Sequence, residues 1–225
     1  MNHIKETIAI LGVTSVLGGI PAVVYAEAPR TGINQMNFTE YYNQGKQKLE
    51  QGNFKGAIAD FNQVVQLNPQ FYEGFCLRGL AKSQIGDFQA AIADFNQALQ
   101  LNPNHADAYN SRGTVHAELG NIPKAIADFN QTIKIEPKFV DGYYNRGLAY
   151  FKQRNPQAAV QDFDRAISLN PNLADAYGNR GLAQYALGNS KSAVTDLQQA
   201  ATLFSQQGNT QGYQQTQAII QQIQQ

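Results

Sequence analysis

The chain has 225 residues, of which 43% are hydrophobic and 15% are charged, and its 17 Lys and Arg residues balance its 17 Asp and Glu residues. Nucleic-acid binding rests on a dense positive surface that faces the phosphates, so a neutral chain without a basic stripe argues against that class of function. Cys76 is the only cysteine, which excludes an intrachain disulfide and leaves the redox compartment open.

The first 26 residues have the pattern of an export signal. Lys5 and the amino terminus give a weakly positive start, and residues 7–25 form an uncharged, mainly apolar run. Val24 and Ala26 occupy the −3 and −1 positions of a cleavage after Ala26. A run of about 19 residues is also just long enough to span a bilayer. We therefore predict a cleaved signal peptide, with an uncleaved membrane anchor as the alternative and a cytosolic start as a third interpretation.

Residues 27–37 are predicted to form a flexible linker, because they contain Pro29 and Gly32 and show no periodicity. A 34-residue pattern follows and repeats five times without a gap. The predicted repeats are 38–71, 72–105, 106–139, 140–173 and 174–207. A fixed period of this length indicates a repeat array.

Each repeat predicts two helices, as the second one illustrates. Gly86 is a favourable left-handed residue that ends the first helix. An apolar stripe through Ala91 and Phe95 marks the second helix, which ends at Asn102-Pro103 because the residue before a proline avoids the α region. Neither helix can bury its apolar face alone, so the repeats must stack. The sequence therefore predicts an all-α solenoid of five helix pairs.

A glycine recurs inside the first helix of every repeat, at Gly45, Gly79, Gly113, Gly147 and Gly181. A glycine within a helix costs about 1 kcal/mol relative to alanine. Its return five times predicts that the two helices approach closely at this position.

Repeats four and five depart from the pattern. In repeat four, Arg154-Asn155-Pro156 replaces the glycine between the helices, and we expect Asn155 to adopt the left-handed conformation and Pro156 to open the next helix. Repeat five lacks the terminal proline, so its second helix is expected to run to about Gln207, with Gly208 as its cap.

Residues 208–225 predict a capping helix after the last repeat. Asn209 or Thr210 can cap its amino end. Its apolar stripe, opposite a face of glutamines, consists of Tyr213, Thr216, Ile220 and Ile223. The alternative is a disordered glutamine-rich tail.

Arginine and aspartate recur at fixed phases of the repeat. In a hairpin that turns near Gly86, Arg78 lies eight residues before the turn and Asp94 eight after it, so the two side chains are expected to meet. The predicted structural ion pairs are Arg78–Asp94, Arg112–Asp128, Arg146–Asp162 and Arg180–Asp196. A row of binding or catalytic charges is the alternative. Repeat one has Gln44 in place of arginine, and its Asp60 can turn towards the next repeat.

Acidic residues also recur at the second position of the first helices, at Glu73, Asp107, Asp141 and Asp175. Acids in a first helical turn complement the helix dipole. They can also form an acidic rim for a basic ligand, and the sequence leaves both roles open.

The repeat length, the two-helix pattern and the phased residues resemble the tetratricopeptide repeat (TPR). In repeat two the residues that carry the resemblance are Gly79, Gly86, Ala91, Phe95 and Pro103. The resemblance covers residues 38–207 and is strongest to the bacterial variety in which arginine precedes the first glycine. It implies a right-handed α-solenoid of five TPR helix pairs plus a C-terminal capping helix. It also implies a concave face, lined by the first helices, that binds peptides or proteins.

The same resemblance assigns the residues of the peptide-binding groove. These are Tyr42, Asn43, Leu80, Asn110, Thr114, Tyr144, Asn145, Leu148, Phe151, Asn179, Leu182 and Tyr185. Aromatic rings supply buried area and amides pair with an extended backbone, which suits peptide recognition. Packing between neighbouring repeats is the alternative for the aromatic residues, above all for Phe151 and Tyr185. The basic residues of the TPR clamp for chaperone carboxylates are absent.

No catalytic site is predicted. His3, His105 and His116 do not recur, no His, Cys and carboxylate set has metal-ligand spacing, and no phosphate loop or nucleophile motif is present. We therefore expect no enzyme activity, no metal and no cofactor. The predicted function is a protein-interaction scaffold that binds a peptide or protein segment in its concave groove. It is expected to act as an assembly or positioning factor in the periplasm or an equivalent extracytoplasmic lumen. The alternative is a membrane-tethered structural element that self-associates, with membrane contact only if the amino-terminal segment is uncleaved.

Overall fold

The computed structural model describes residues 33–225, with side chains from residue 38 onward, and this part of the chain contains eleven α-helices and no strand. The helices are α1 (Ile33–Glu50), α2 (Phe54–Leu67), α3 (Tyr72–Gln84), α4 (Phe88–Leu101), α5 (Ala106–Glu118), α6 (Ile122–Ile135), α7 (Val140–Lys152), α8 (Pro156–Leu169), α9 (Ala174–Ala186), α10 (Ser190–Gln206) and α11 (Thr210–Gln224). The predicted all-α solenoid of five helix pairs and a terminal helix is confirmed for the described residues. The predicted signal peptide, residues 1–26, lies outside them.

The chain divides after Pro137 into two compact halves. In its described part the amino-terminal half, residues 33–137, contains α1–α6, and the carboxy-terminal half, residues 138–225, contains α7–α11. Within each half, a first helix packs against the second helix of its own pair, and that second helix packs against the first helix of the next pair. Within a half, each repeat therefore buries its apolar surface against its immediate neighbours, as expected of a repeat array.

The first helix starts earlier than the sequence pattern indicated. Helix α1 begins at Ile33, so residues 33–37 are helical and the prediction of a linker over 27–37 is wrong for them. No glycine or proline interrupts the chain between Gly32 and Gly45, and good helix formers such as Gln35 and Met36 extend the helix backwards. None of the helices in residues 33–225 has both the length and the apolar character needed to cross a bilayer.

The recurring glycines mark the closest approach of the two helices in each pair. A Cβ atom on Gly113 would lie 2.7 Å from Cε1 of Phe129, and one on Gly147 would lie 2.8 Å from Cε1 of Phe163. Both phenylalanine rings are completely or almost completely buried. A larger residue would therefore overpack the contact. The helix-propensity penalty of about 1 kcal/mol for glycine is offset by this close packing.

The turn of repeat four differs from the prediction. The glycines between the helices of the other repeats, Gly52, Gly86, Gly120 and Gly188, have φ values from 73° to 84°. In repeat four it is Arg154 that has φ 63°, whereas Asn155 has φ −112°. The expectation that Asn155 is left-handed is wrong, because its carboxamide caps α8 by accepting a hydrogen bond from the backbone N–H of Ala158 at 3.2 Å. Pro156 opens α8, as predicted.

The terminal helix packs on the last repeat. Helix α10 extends to Gln206, Gly208 follows with φ 72°, and Asn209 caps α11 by accepting from the backbone N–H of Gly212 at 2.9 Å. Thr216 and Ile220 of α11 are buried, and α11 contacts α10. Tyr213 does not belong to the buried stripe, because it is 39% exposed.

We predict that Arg154→Gly increases the free energy of unfolding. A side chain in the left-handed region is strained, and glycine relieves that strain at the expense of a more flexible unfolded chain. The net gain should be about 0.5–1 kcal/mol in urea-induced unfolding. The matched control is Gly120→Arg, the reverse change at the same phase of repeat three, which should destabilise the protein. A loss of stability in Arg154→Gly would contradict the strain at this turn.

Candidate functional site

Each of the four recurring arginines binds the aspartate of its own repeat through two hydrogen bonds. Arg112 donates from Nε to Oδ2 of Asp128 at 2.9 Å and from Nη2 to Oδ1 at 2.6 Å. The pairs Arg78–Asp94, Arg146–Asp162 and Arg180–Asp196 have the same two contacts, at 2.6 to 2.9 Å. Such two-point contacts match the planar guanidinium to a carboxylate. The four aspartates are buried, so these charges join the helices of a repeat and do not face a ligand.

Within each half, the guanidinium of such an arginine also binds the preceding repeat. Nη1 of Arg112 donates to Oδ1 of Asn96 at 2.6 Å, and Nη1 of Arg180 donates to Oδ1 of Asp164 at the same distance. Arg78 makes the equivalent bond to Asn62 at 2.9 Å. Each arginine thus links its own repeat to its neighbour. This contact was not predicted, although the 16-residue spacing on both sides of the arginine is a signal for it.

Lysine replaces arginine as the partner of Asp60 in repeat one. Nζ of Lys48 lies 2.6 Å from Oδ2 of Asp60, so the expectation that Asp60 turns towards the next repeat is wrong. Lys82, at the same phase of repeat two, lies 2.8 Å from Oδ2 of Asp94. A lysine at this phase therefore contacts the buried carboxylate in repeats one and two. In repeat one, where Gln44 replaces the arginine, Lys48 is the cation that pairs with Asp60.

We predict that Arg180 is strongly coupled to Asp196 and weakly coupled to Asp164. The Asp196 side chain is 12% exposed and that of Asp164 is 54% exposed. Removing one partner of the buried pair should cost about 3 kcal/mol, whereas an exposed pair contributes about 1 kcal/mol or less. Two double-mutant cycles that share Arg180→Ala, one with Asp196→Ala and one with Asp164→Ala, measure both couplings. Additive effects in the Asp196 cycle would contradict a structural pair.

His116 occupies the phase of Lys48 and Lys82 in repeat three. Its imidazole is buried, and Nδ1 has no hydrogen-bond partner among the described residues. Burial lowers the pKa of His116; the charges of Arg112 and Lys124 act in the same direction, and Asp128 opposes them. The neutral form is therefore favoured in the folded protein.

Stability should fall as the pH drops through the ordinary range of a histidine. Because the pKa of His116 is lower in the folded state than in the unfolded state, protonation below about pH 6.5 favours unfolding. The comparison is urea unfolding at pH 7.5 and at pH 5.5 for the wild type and for His116→Gln, since glutamine occupies this phase in repeat five. The variant should lose less stability between the two pH values. An equal loss would exclude His116 as the source.

The candidate groove residues differ in their accessibility. Tyr42, Asn179 and Leu182 are buried. The half-buried members are Leu80, Asn110, Tyr144, Asn145, Leu148, Phe151 and Tyr185, and the exposed ones are Asn43 and Thr114. Burial removes the first three from the surface that a ligand can reach, so their assignment as peptide contacts is corrected to a supporting role.

Asn179 and Tyr144 form a polar contact between α9 and α7. Nδ2 of Asn179 donates to the Tyr144 hydroxyl at 3.0 Å and to the backbone carbonyl of Asp175 at 2.9 Å. The Tyr144 ring packs against Phe163 of α8, with 5.9 Å between the ring centroids. Burial raises the pKa of Tyr144, and Asp175 and Asp141 add to the effect. The Asn179 amide therefore positions the side chain of Tyr144, although the resemblance predicted that this amide binds a peptide.

The accessible candidates of the carboxy-terminal half share one surface. We call Tyr144, Asn145, Leu148, Phe151 and Tyr185, from the two contacting helices α7 and α9, the α7–α9 face. All five are half-buried, and Leu148 and Phe151 pack against the core formed by Ala159, Phe163 and Ala183. Phe151 therefore packs against the core, as the alternative prediction stated, while part of its side chain stays at the surface.

The amino-terminal half has a different surface at the same phases. Asn43, Leu80, Asn110 and Thr114 remain accessible there. The phase of Tyr144 is occupied by the buried Tyr42 in repeat one, by the buried Cys76 in repeat two and by Asn110 in repeat three. The Tyr42 hydroxyl donates to Oε1 of Glu73 at 2.7 Å. Fewer apolar side chains are therefore available at these phases than on the α7–α9 face.

Cys76 carries an unreactive thiol. Its side chain is buried, and burial raises its pKa to about 12, with contributions from the charges of Asp107 and Glu73. The thiolate is the nucleophilic and metal-binding form of cysteine. At neutral pH the thiol stays protonated, and among the described residues no group of His, Cys, Asp and Glu side chains is arranged as metal ligands.

Models of the tetratricopeptide repeat match most of the repeat array. A model described as tetratricopeptide repeat matches residues 140–173, a second with this description matches 41–71 and 174–207, and one described as TPR repeat matches 83–120 and 113–153. Together these matches cover residues 41–71 and 83–207, more than half of the chain. No curated protein matches the chain significantly.

Solved structures with the same fold include several bacterial repeat proteins. The crystal structure of MamA protein is 25% identical with a TM-score of 0.67, and the match covers 78% of this chain and 96% of that one. MamA from Desulfovibrio magneticus RS-1 is 22% identical with a TM-score of 0.69, covering 76% and 97%. YrrB, described as a TPR protein with an unusual peptide-binding site, is 16% identical with a TM-score of 0.64, covering 83% and 98%. At the last two identities the likeness concerns the fold alone.

Proposed function

The chain belongs to the tetratricopeptide repeat family and is a protein-interaction scaffold, and from this premise we propose that it binds an extended protein segment on the α7–α9 face. The observation that carries the proposal is the row of half-buried apolar and aromatic side chains on two successive first helices. Contiguous apolar surface of this kind usually marks a binding site. The described peptide-binding site of YrrB supports the same use of the fold.

The geometry of the face suits a chain in an extended conformation. Leu148, Phe151 and Tyr185 offer apolar area, and Asn145 adds an amide, a group with both donor and acceptor atoms. Leu148 and the ring of Phe151 are held by the core beneath them, so they lose little side-chain entropy on binding. The arginines of the same helices are engaged with Asp162 and Asp196 and leave the face to these neutral groups.

We predict that variants of the face lose binding while they keep the fold. A phage-displayed library of random twelve-residue peptides, panned against the full chain, supplies a defined ligand. Tyr185→Ala should weaken its binding because aromatic anchors dominate such interfaces, and Asn145→Ala should cost about 1–3 kcal/mol of affinity. Affinity is measured by fluorescence anisotropy and folding by circular dichroism. Gln161→Ala on α8, an exposed residue of the same half, is the control. Folded face variants that bind like the wild type would refute the proposal.

We also propose that the protein works outside the cytoplasm. The support is the sequence of residues 1–26, in which Val24-Tyr25-Ala26 follows an uncharged run. Amino-terminal sequencing of the protein from its host should begin at Glu27. An intact Met1 in the soluble fraction would contradict export, and an intact Met1 in the membrane fraction would favour a tethered scaffold.

A further inference from the structure

We propose that the segment bound on the α7–α9 face is cationic and that Asp175 pairs with one of its lysine or arginine side chains. This inference rests on the proposed function and adds the chemical class of the partner. It depends on the position of Asp175, on its lack of a partner among the described residues 38–225 and on the apolar surface beside it.

Asp175 lies next to Tyr144 of the α7–α9 face. It is the second residue of α9 and follows Tyr144 by 31 residues. The same spacing separates Tyr42 from Glu73, and there the tyrosine hydroxyl donates directly to the carboxylate at 2.7 Å. The acidic residue at this phase therefore reaches the ring of the preceding first helix. Asn179, whose side chain binds both the Tyr144 hydroxyl and the Asp175 carbonyl, fixes this arrangement.

The Asp175 carboxylate lacks the partner that Glu73 has. Among residues 38–225, no other residue forms an ion pair or a hydrogen bond with this carboxylate. It accepts a hydrogen bond only from its own backbone N–H. Aspartate is one methylene shorter than glutamate, and in this repeat Tyr144 is bound by Asn179 instead. Asp175 is half-buried, and burial raises its pKa. A partly desolvated carboxylate without a counter-ion gains most from a cation brought by a partner.

The cations of α7 and α9 are directed elsewhere. Arg146 and Arg180 bind the buried carboxylates of Asp162 and Asp196. Lys152 is exposed in the last turn of α7, at the opposite end from the first turns that carry Asp141 and Asp175. The helix starts beside the face are thus acidic, and they are complementary to positive charge.

The surface beside Asp175 favours a long cationic side chain. Lysine and arginine pack their methylene stems on apolar groups while the charged end binds a carboxylate. Tyr144 supplies such apolar surface next to Asp175, and Leu148 supplies it one turn further along α7. A segment in which a lysine or arginine lies close to aliphatic residues satisfies both requirements.

The test uses the same random twelve-residue library with the full chain. Peptides selected by the wild type should be enriched in Lys or Arg next to aliphatic residues. For a selected peptide, Asp175→Asn should reduce affinity about tenfold or more, because a charge-assisted bond is lost. Asp175→Glu, which keeps the charge, should retain most of the binding. Asp87→Asn is the matched control, since it removes the same charge from an exposed helix start in the other half.

The outcomes separate this inference from the proposed function. If Tyr185→Ala weakens binding and Asp175→Asn does not, the face binds peptides but the pairing with Asp175 is refuted. An equal loss in Asp87→Asn would assign the effect to net charge and would also refute it. Selection of neutral or acidic peptides would overturn the cationic class. If the wild type selects no peptide, or if selected peptides bind the face variants unchanged, both proposals fail.

Discussion

The contact between a glycine of one helix and an aromatic ring of the next is the constraint on which each repeat depends. With no Cβ on Gly113 or Gly147, the helices close until the rings of Phe129 and Phe163 touch the opposite backbone. The neighbouring residues use the same register, because an arginine precedes each of these glycines and an aspartate precedes each phenylalanine. The ion pair therefore forms at the edge of the apolar contact, because the close approach of the two helices places the arginine opposite the aspartate.

The arginine then couples this intra-repeat contact to the stacking of repeats. One edge of the guanidinium binds the aspartate of its own repeat, and the remaining nitrogen binds an amide or carboxylate of the preceding one. An aromatic ring on the same helix lies 5.3 to 5.8 Å from the guanidinium carbon and completes its surroundings. In a repeat array stability is a sum of repeat and interface terms. One side chain here contributes to both, so repeats linked in this way are expected to unfold cooperatively.

The periodic features could be predicted from the sequence because each has a simple physical cause. The helix pairs follow from spacing, the Arg–Asp pairs from equal distances to the turn, and the cap at Asn209 from its side-chain chemistry. Residues with two competing roles could not be assigned. Asn155 can adopt the left-handed conformation or cap a helix, and Arg154 takes the strained backbone because the repeat length fixes the turn there. Asn179 and Tyr42 occupy phases at which other repeats carry accessible residues, but both are buried. Asn179 binds the Tyr144 hydroxyl, and the Tyr42 hydroxyl binds Glu73.

Cys76 is a natural probe of local opening in this protein. The thiol is the only one in the chain, it is buried among α3 and its neighbours, and its high pKa suppresses reaction in the closed state. A thiol reagent therefore labels it at the rate at which α3 and α4 open. Labelling followed over time, with or without a bound segment, would resolve local opening of the amino-terminal half from global unfolding. The repeat array needs no engineered probe for this measurement.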